Sequence, residues 1–221
     1  MMRMSFELEP KIYSAYPIAY DSILKKITED FHLSESRKGI HMSDCIYCLR
    51  KVYYNQTNYL SPTPKEVKYF VRGIALQDAI LQKEPIPIEK DGIIFSPDYW
   101  DGKELLELKT TTMGRKRMDE GNFPKGWIKQ IAAYCYALGI SHGYLLVFIL
   151  NDYSNDILPP YRLEFSEKEL LDNWNEIVYN KSILEDSLKG GKLPLKTEED
   201  WLCNDCRYAL RCKHDEEVRN D

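Results

Sequence analysis

The chain contains no nucleotide-binding loop of the form G-x-x-x-x-G-K-[ST], so any ATP-driven unwinding has to come from a partner. It has no apolar run long enough to span a bilayer; the run at 143–150 (GYLLVFIL) is strand-sized and flanked by polar turns, which excludes a membrane helix there. An excess of positive charge is missing as well. The net charge of -5 argues against strong general affinity for nucleic acid through bulk electrostatics. The four histidines, His32, His41, His142 and His214, have no spacing that builds a metal or catalytic pair, and nothing suggests serine or cysteine nucleophilic catalysis. No Gly/Ser-rich or Pro-rich stretch, internal repeat or low-complexity run divides the 221 residues, and 43% hydrophobic content suffices for a sizeable core. With no signal peptide read either, these absences predict one soluble, cytoplasmic domain, 1–221, with a helical N-terminal part (1–82), a central sheet and helix (83–165) and a C-terminal part (166–221).

What is present begins with two carboxylates and an amine. Pro97-Asp98 is followed by Glu107-Leu108-Lys109, a P-D...E-x-K pattern. Hydrolysis of a phosphodiester needs a hard cation on oxygen ligands, a nucleophilic water and positive charge near the developing phosphorane. Asp98 and Glu107 can supply the first, and Lys109 can serve the other two. Residues 92–97 and 104–110 both read as short strands around a turn at Asp101-Gly102, a hairpin signal. Alternation along the second strand puts Glu107 and Lys109 on one face and Leu106 and Leu108 on the other. The bland alternative is a solvated edge hairpin with outward charges.

Six cysteines form the second feature: Cys45, Cys48, Cys135, Cys203, Cys206 and Cys212. A disulfide framework does not suit a chain able to build its own core, so metal binding is the better reading. Two ligand sets fit. Cys45 and Cys48 with Cys203 and Cys206 would make a zinc-ribbon-like site; Cys48 with Cys203, Cys206 and Cys212 would make an iron-sulfur site. Cys135 lies in the helical pattern WIKQIAAYCYAL and reads as a small buried hydrophobe.

The element order predicts helices over 17–31 and 43–54, then a longer one opening at Thr63-Pro64-Lys65-Glu66, a capping box with proline in the first helical position. Val67, Phe70, Val71, Ile74 and Leu81 should line one face of it, with Gln77 on the same helix. Strands near 86–89, 92–97 and 104–110 are followed by a helix over 125–138, strands at 144–150 and 161–165, and a helix over 166–188. A mixed α/β architecture results, a mixed sheet flanked by helices.

Taken together, Cys48-Leu49-Arg50-Lys51-Val52-Tyr53-Tyr54, Gly73-x-x-x-Gln77, Pro97-Asp98, Glu107-x-Lys109-Thr110, Gln130-x-x-x-Tyr134 and the Cys203, Cys206, Cys212 cluster occur in the order seen in one family. The chain resembles the RecB-type PD-(D/E)XK nucleases that carry an iron-sulfur cluster, and by size the Cas-four exonucleases of CRISPR adaptation. The resemblance runs from Cys48 to Cys212. It implies a restriction-endonuclease-like core and a magnesium- or manganese-dependent DNA nuclease, an exonuclease with some endonuclease activity on single strands or ends. It implies a 4Fe-4S cluster on Cys48, Cys203, Cys206 and Cys212, which singles out Cys48 over Cys45. Asp98, Glu107 and the carbonyl of Leu108 would bind the catalytic metal, with Gln77 standing where the family usually has histidine. Lys109, Gln130 and Tyr134 would complete the site. DNA, CRISPR integrase proteins and further copies of the chain are the partners it implies. The Gln77 departure also admits a weakened relative that binds DNA ends and docks an integrase or repair complex.

Local charge adds to this. Arg115, Lys116 and Arg117 directly follow the strand bearing Glu107, and Lys125 and Lys129 open the next helix, a placement suited to phosphates. The sixteen tyrosines offer stacking partners for single-stranded bases, although most belong to core or rim.

Overall fold

The computed structural model describes residues 25, 29, 37–81, 87–150, 160–197 and 202–220. The helix expected over 17–31 lies outside these, apart from Lys25 and Glu29. The elements are α1 (Met42–Ile46), α2 (Leu49–Thr57), α3 (Pro64–Leu81), β1 (Ile88–Lys90), β2 (Ile93–Phe95), β3 (Tyr99–Trp100), β4 (Leu105–Thr111), α4 (Arg115–Asp119), α5 (Lys125–Leu138), β5 (His142–Ile149), β6 (Pro160–Glu164), α6 (Glu167–Leu188) and α7 (Ala209–Asn220).

Strands β3 to β6 form one sheet in the order β3-β4-β5-β6. β4 and β5 run parallel while the outer pairs are antiparallel, so the sheet is mixed. Parallel neighbours need a crossover connection, which α4 and α5 provide. Along β5, Gly143, Leu145, Val147 and Ile149 are buried and the residues between them are half-buried, the two-residue period of a strand with one core face. α5 lays Ile131, Ala132 and Cys135 into the same core. Gly143 permits this contact: a Cβ there would stand 3.0 Å from both Ile131 Cγ2 and Leu105 Cδ2. α6 closes the layer with Leu170, Trp174 and Ile177, and Trp174 stacks on Tyr136 of α5 at 5.1 Å between ring centroids. Each large apolar side chain buried this way contributes about 1.5–3 kcal/mol. Two predicted helix starts are present as capping boxes. Thr63 Oγ1 accepts the Glu66 N–H while Glu66 Oε2 accepts that of Thr63. Ser166 and Glu169 exchange the same bonds at the start of α6.

The structure corrects four expectations. The helix expected over 43–54 is two helices, broken at Tyr47 and Cys48. Tyr47 caps α1 by donating its N–H to the Ser43 carbonyl, and Cys48 is extended at φ -76°, ψ 103°, as the N-cap of α2. The strand at 92–97 is not the hairpin partner of β4. Its β2 core pairs antiparallel with β1, and β3 makes the hairpin around Asp101-Gly102. Pro97 explains the switch, since it lacks an N–H and interrupts the strand between the two pairings. On α3, Val67 is buried, but Phe70 is 37% exposed and Val71 and Ile74 are only half-buried. Finally, α7 starts after Cys206 and carries Cys212 in its first turn, where no helix was predicted.

α7 is tied back to α2 by polar contacts. Arg50, 2% exposed, donates from Nε to the Pro194 carbonyl at 2.8 Å and from Nη1 to Glu216 Oε1 and Cys212 Sγ, both at 3.2 Å. Tyr54 donates to Asp215 Oδ2 at 2.6 Å, and Tyr208 to Asn55 Oδ1 at 2.8 Å. A buried guanidinium with three acceptors costs its full desolvation when the acceptors go, and the acceptors lose as much when it goes. Arg50→Ala is therefore expected to lower the unfolding free energy by about 3 kcal/mol. Urea denaturation measures the loss, and amide exchange should accelerate in α7 before β5.

Candidate active site

Glu107 sits mid-strand in β4 and is 3% exposed. Its Oε1 accepts from Lys109 Nζ and from Gln130 Nε2, each at 2.7 Å. The two-residue spacing puts Glu107 and Lys109 on one face of the strand, as the alternation predicts. Gln130, on α5, closes the ring: its Oε1 accepts from Lys109 Nζ at 2.9 Å, and its Nε2 also donates to Tyr134 Oη at 2.8 Å. This amide orientation follows from chemistry, because an ammonium only donates and a carboxylate only accepts. The spacing of four on α5 brings Gln130 and Tyr134 together, and Phe95 stacks on the Tyr134 ring at 5.7 Å. Asp98 enters from the β2–β3 connection, with Oδ2 accepting the Leu108 N–H at 2.7 Å.

Asp98, Glu107, Lys109, Gln130 and Tyr134 thus meet in one place. Burial first, and then the Glu107 charge, push the Asp98 carboxyl up to about 7, against the pull of the Leu108 amide and Lys109. Burial works against the Lys109 ammonium, but Glu107 outweighs it together with lesser contributions and raises its pKa. Tyr134 is held well above the usual phenol range by burial and then by Glu107, so it stays protonated. Glu107 Oε2 is buried without a hydrogen-bond partner among the described residues. An orphaned carboxylate oxygen beside a second carboxyl that resists ionisation is a donor set suited to a hard divalent cation.

The other residues singled out from sequence are placed as follows. Gln77 is half-buried on α3, and among the described residues no hydrogen bond joins it to Asp98 or Glu107. Lys116 and Arg117 bond within their own segment, to Glu120 and to the Asn122 carbonyl, and Arg115 shares their short helix α4. Lys125 is exposed at the start of α5, and Lys129 is ion-paired with Glu176 of α6. Cys48, Cys203, Cys206 and Cys212 line one cavity of about 600 Å³. Cys206 is raised by burial and also feels the charge of Cys48. Cys45 and Cys135 are instead fully buried in the apolar core, their thiols pushed up to about 12 by burial. Among the described residues, no three His, Cys, Asp or Glu side chains are grouped so as to hold a single metal ion.

Sequence reasoning missed two residues here. Tyr47 passes its ring so close to Gly126, one turn of α5 before Gln130, that a Cβ there would lie 2.5 Å from Tyr47 Cε1. Nothing in the local sequence marks Tyr47 apart from its place beside Cys48. Arg50, quoted only as part of a motif, proves to be the donor to Cys212 Sγ.

Comparison with protein-family models and with curated proteins found no match. Among solved structures, the crystal structure of SSO0001 aligns with a TM-score of 0.55 at 18% identity, covering 88% of this chain and 96% of that one. The chain is similar in fold to SSO0001. Two structures of LHK-Exo, an alkaline exonuclease from Laribacter hongkongensis, align more loosely. The first, at 12% identity, has a TM-score of 0.46 and covers 75% of this chain and 95% of that one. The second, in complex with dAMP, is 13% identical at a TM-score of 0.47, covering 69% of this chain and 90% of that one.

The elevated Asp98 pKa sets the sign of a pH effect. In metal-free protein the folded state holds a proton on Asp98 that the unfolded chain releases from a pKa near 3.8 upward, while the folded group titrates at about 7. Its contribution is complete below the first value and lost as pH rises through the second. From about pH 5 to about pH 8, wild type should lose on the order of 2 kcal/mol relative to Asp98→Asn. Chemical denaturation in chelator at both pH values measures the difference; parallel stability profiles would contradict it.

Proposed function

We propose that this chain is a magnesium- or manganese-dependent DNA nuclease acting on single strands or DNA ends, mainly as an exonuclease. The observation that carries the reading is the buried Glu107, with Oε1 accepting from Lys109 and Gln130, Oε2 without a partner among the described residues, and its charge acting on Asp98. Asp98, Glu107 and the Leu108 carbonyl would hold the metal, with Gln77 as the donor from α3. A divalent ion held there supplies a Lewis acid for the phosphoryl oxygens and lowers the pKa of a bound water.

The chain's own groups divide the remaining work. Lys109 is fixed by two acceptors and kept charged, so its role is to face negative charge growing on the phosphoryl oxygens as water adds to phosphorus and the P–O bond to the departing sugar breaks. Gln130 orients both Glu107 and Lys109. Tyr134 accepts from Gln130 with its oxygen and keeps its proton available as a hydrogen-bond donor. Burial of the assembly limits stray water and strengthens each of these interactions.

Four thiols around one cavity, with Arg50 donating to Cys212 Sγ, support a 4Fe-4S cluster on Cys48, Cys203, Cys206 and Cys212. The core position of Cys45 disfavours the zinc set that needs it. The cluster would fasten α7 to the start of α2. The narrower role of trimming DNA before a CRISPR integrase inserts it rests on the sequence resemblance alone.

Anaerobically purified protein should be brown, contain iron and acid-labile sulfide, and degrade labelled single strands with magnesium or manganese. Asp98→Ala, Glu107→Ala and Lys109→Ala should each reduce cleavage by at least about a hundredfold. Glu107→Ala should keep the visible spectrum, whereas Cys203→Ser or Cys206→Ser should bleach it and destabilise the fold. Ends bound tightly but left intact by wild type would replace the nuclease with the end-binding adaptor.

A further inference from the structure

Beside the first turn of α5, the helix whose Gln130 bonds Glu107, runs a groove that the catalytic reading does not use. It has a volume of about 1010 Å³ and lies between the first turn of α5, the middle of α6 and the extended segment 192–197. Lys125, Lys129, Lys192 and Lys196 line it against two acids, Glu176 and Asp186. In a chain of net charge -5, four lysines on one concave surface are a local reversal of sign. Lys129 and Lys196 are paired with Glu176 and Glu216. Lys125 and Lys192 have no ion pair among the described residues and stand open to an outside anion. The segment carrying Lys192 is held in place, since Ser187 Oγ donates to the Lys192 carbonyl at 2.5 Å and the Pro194 carbonyl accepts from Arg50.

Tyr47 stands where this groove reaches the first turn of α5. It lines the groove and a small adjoining hollow of about 70 Å³ shared with Lys125, Gly126 and Lys129. Gly126, under the ring, lies one helical turn before Gln130, the donor to Glu107 Oε1. The absence of a side chain at Gly126 lets the ring lie against the start of α5. An aromatic face between a lysine-lined channel and a phosphate-cleaving centre matches the elements that bind single-stranded nucleic acid: a cationic track for the backbone and a ring for an unpaired base. A base inside a duplex is already stacked on both faces and offers neither to such a ring.

We propose that Tyr47 and the groove of Lys125, Lys129, Lys192 and Lys196 form the track that leads a single strand of nucleic acid to Asp98 and Glu107, with Tyr47 stacking on the base beside the scissile phosphate. The proposal rests on the nuclease reading and adds the strandedness and path of its substrate.

Binding is measured by anisotropy with a labelled oligonucleotide on full-length protein carrying Asp98→Asn, so that the probe survives. A second probe carries 2-aminopurine near its end. Adding Lys125→Glu and Lys192→Glu together should weaken single-strand binding by at least about tenfold and flatten the dependence of log affinity on log salt by about 1.4, two phosphates at about 0.7 each. Neither substitution breaks an ion pair among the described residues. Tyr47→Ala should abolish 2-aminopurine quenching and cost about five- to a hundredfold in affinity, the value of one stacked base, while Tyr47→Phe keeps both. Blunt duplex of the same sequence should bind more weakly than the single strand. Unchanged affinity and salt slope in the lysine variant, quenching that survives Tyr47→Ala, or duplex bound as tightly as single strand would overturn the proposal. The two readings separate cleanly. Cleavage by the wild type with lysine-independent binding removes the track and leaves the nuclease; lysine-dependent binding with no cleavage removes the nuclease and leaves the track.

Discussion

A carboxylate that is 3% exposed in the middle of a sheet must be compensated, and how Glu107 is compensated determines the layout around it. One oxygen is shared by an ammonium from its own strand and an amide from α5, so a single atom binds β4 to α5. Uncompensated, such a group would neutralise itself by taking up a proton or would force the strand to open. The price is asymmetry. Among the described residues the donors go to Oε1, and none reaches Oε2. Asp98 meets the same restriction from the other side, with one oxygen held by a backbone N–H of the strand that carries Glu107. Stability and chemistry therefore draw on the same few bonds.

A second buried charge organises the other end of the molecule. Arg50 reaches the 192–197 segment, α7 and a cysteine sulfur at once, contacts separated by more than 140 positions in the chain. Tyr54, Tyr208 and Arg211, whose guanidinium lies 4.5 Å from the Tyr54 ring centroid, reinforce the same joint. α7 has little apolar surface of its own, and polar contacts supply what hydrophobic burial does not.

How much of this could be read beforehand depended on the range of the interaction. α5 and the start of α3 were legible because their signals are local: the apolar spacing in IKQIAAYCYAL and the Thr63-Glu66 box. The shared face of Glu107 and Lys109 followed from strand alternation, and that of Gln130 and Tyr134 from helical spacing. The break at Tyr47 was not legible, because no proline or glycine marks it and its cause is tertiary: Cys45 goes into the core while Cys48 faces the cavity. The true partner of β4 was missed because Tyr99-Trp100 is too short to show a period, and α7 because its helix is held by Arg50 and Tyr54 from far upstream. Phe70 looked like core by pattern, yet it borders the cysteine cavity, a place that exists only once both chain regions meet.

The break between α1 and α2 sends neighbouring residues to different parts of the molecule. Within four consecutive positions the chain buries Cys45, whose carbonyl accepts from Asn180 of α6 at 2.8 Å, lays Tyr47 over Gly126, and turns Cys48 to the cysteine cavity. An unbroken helix would space Cys45 and Cys48 on nearly the same face and could not send one inward and the other outward. Tyr47 is therefore held from both sides, by the core through α1 and by the Arg50 joint through α2. The ring over Gly126 thus stands one turn of α5 from Gln130, and the segments that carry Cys45 and Cys48 set its position.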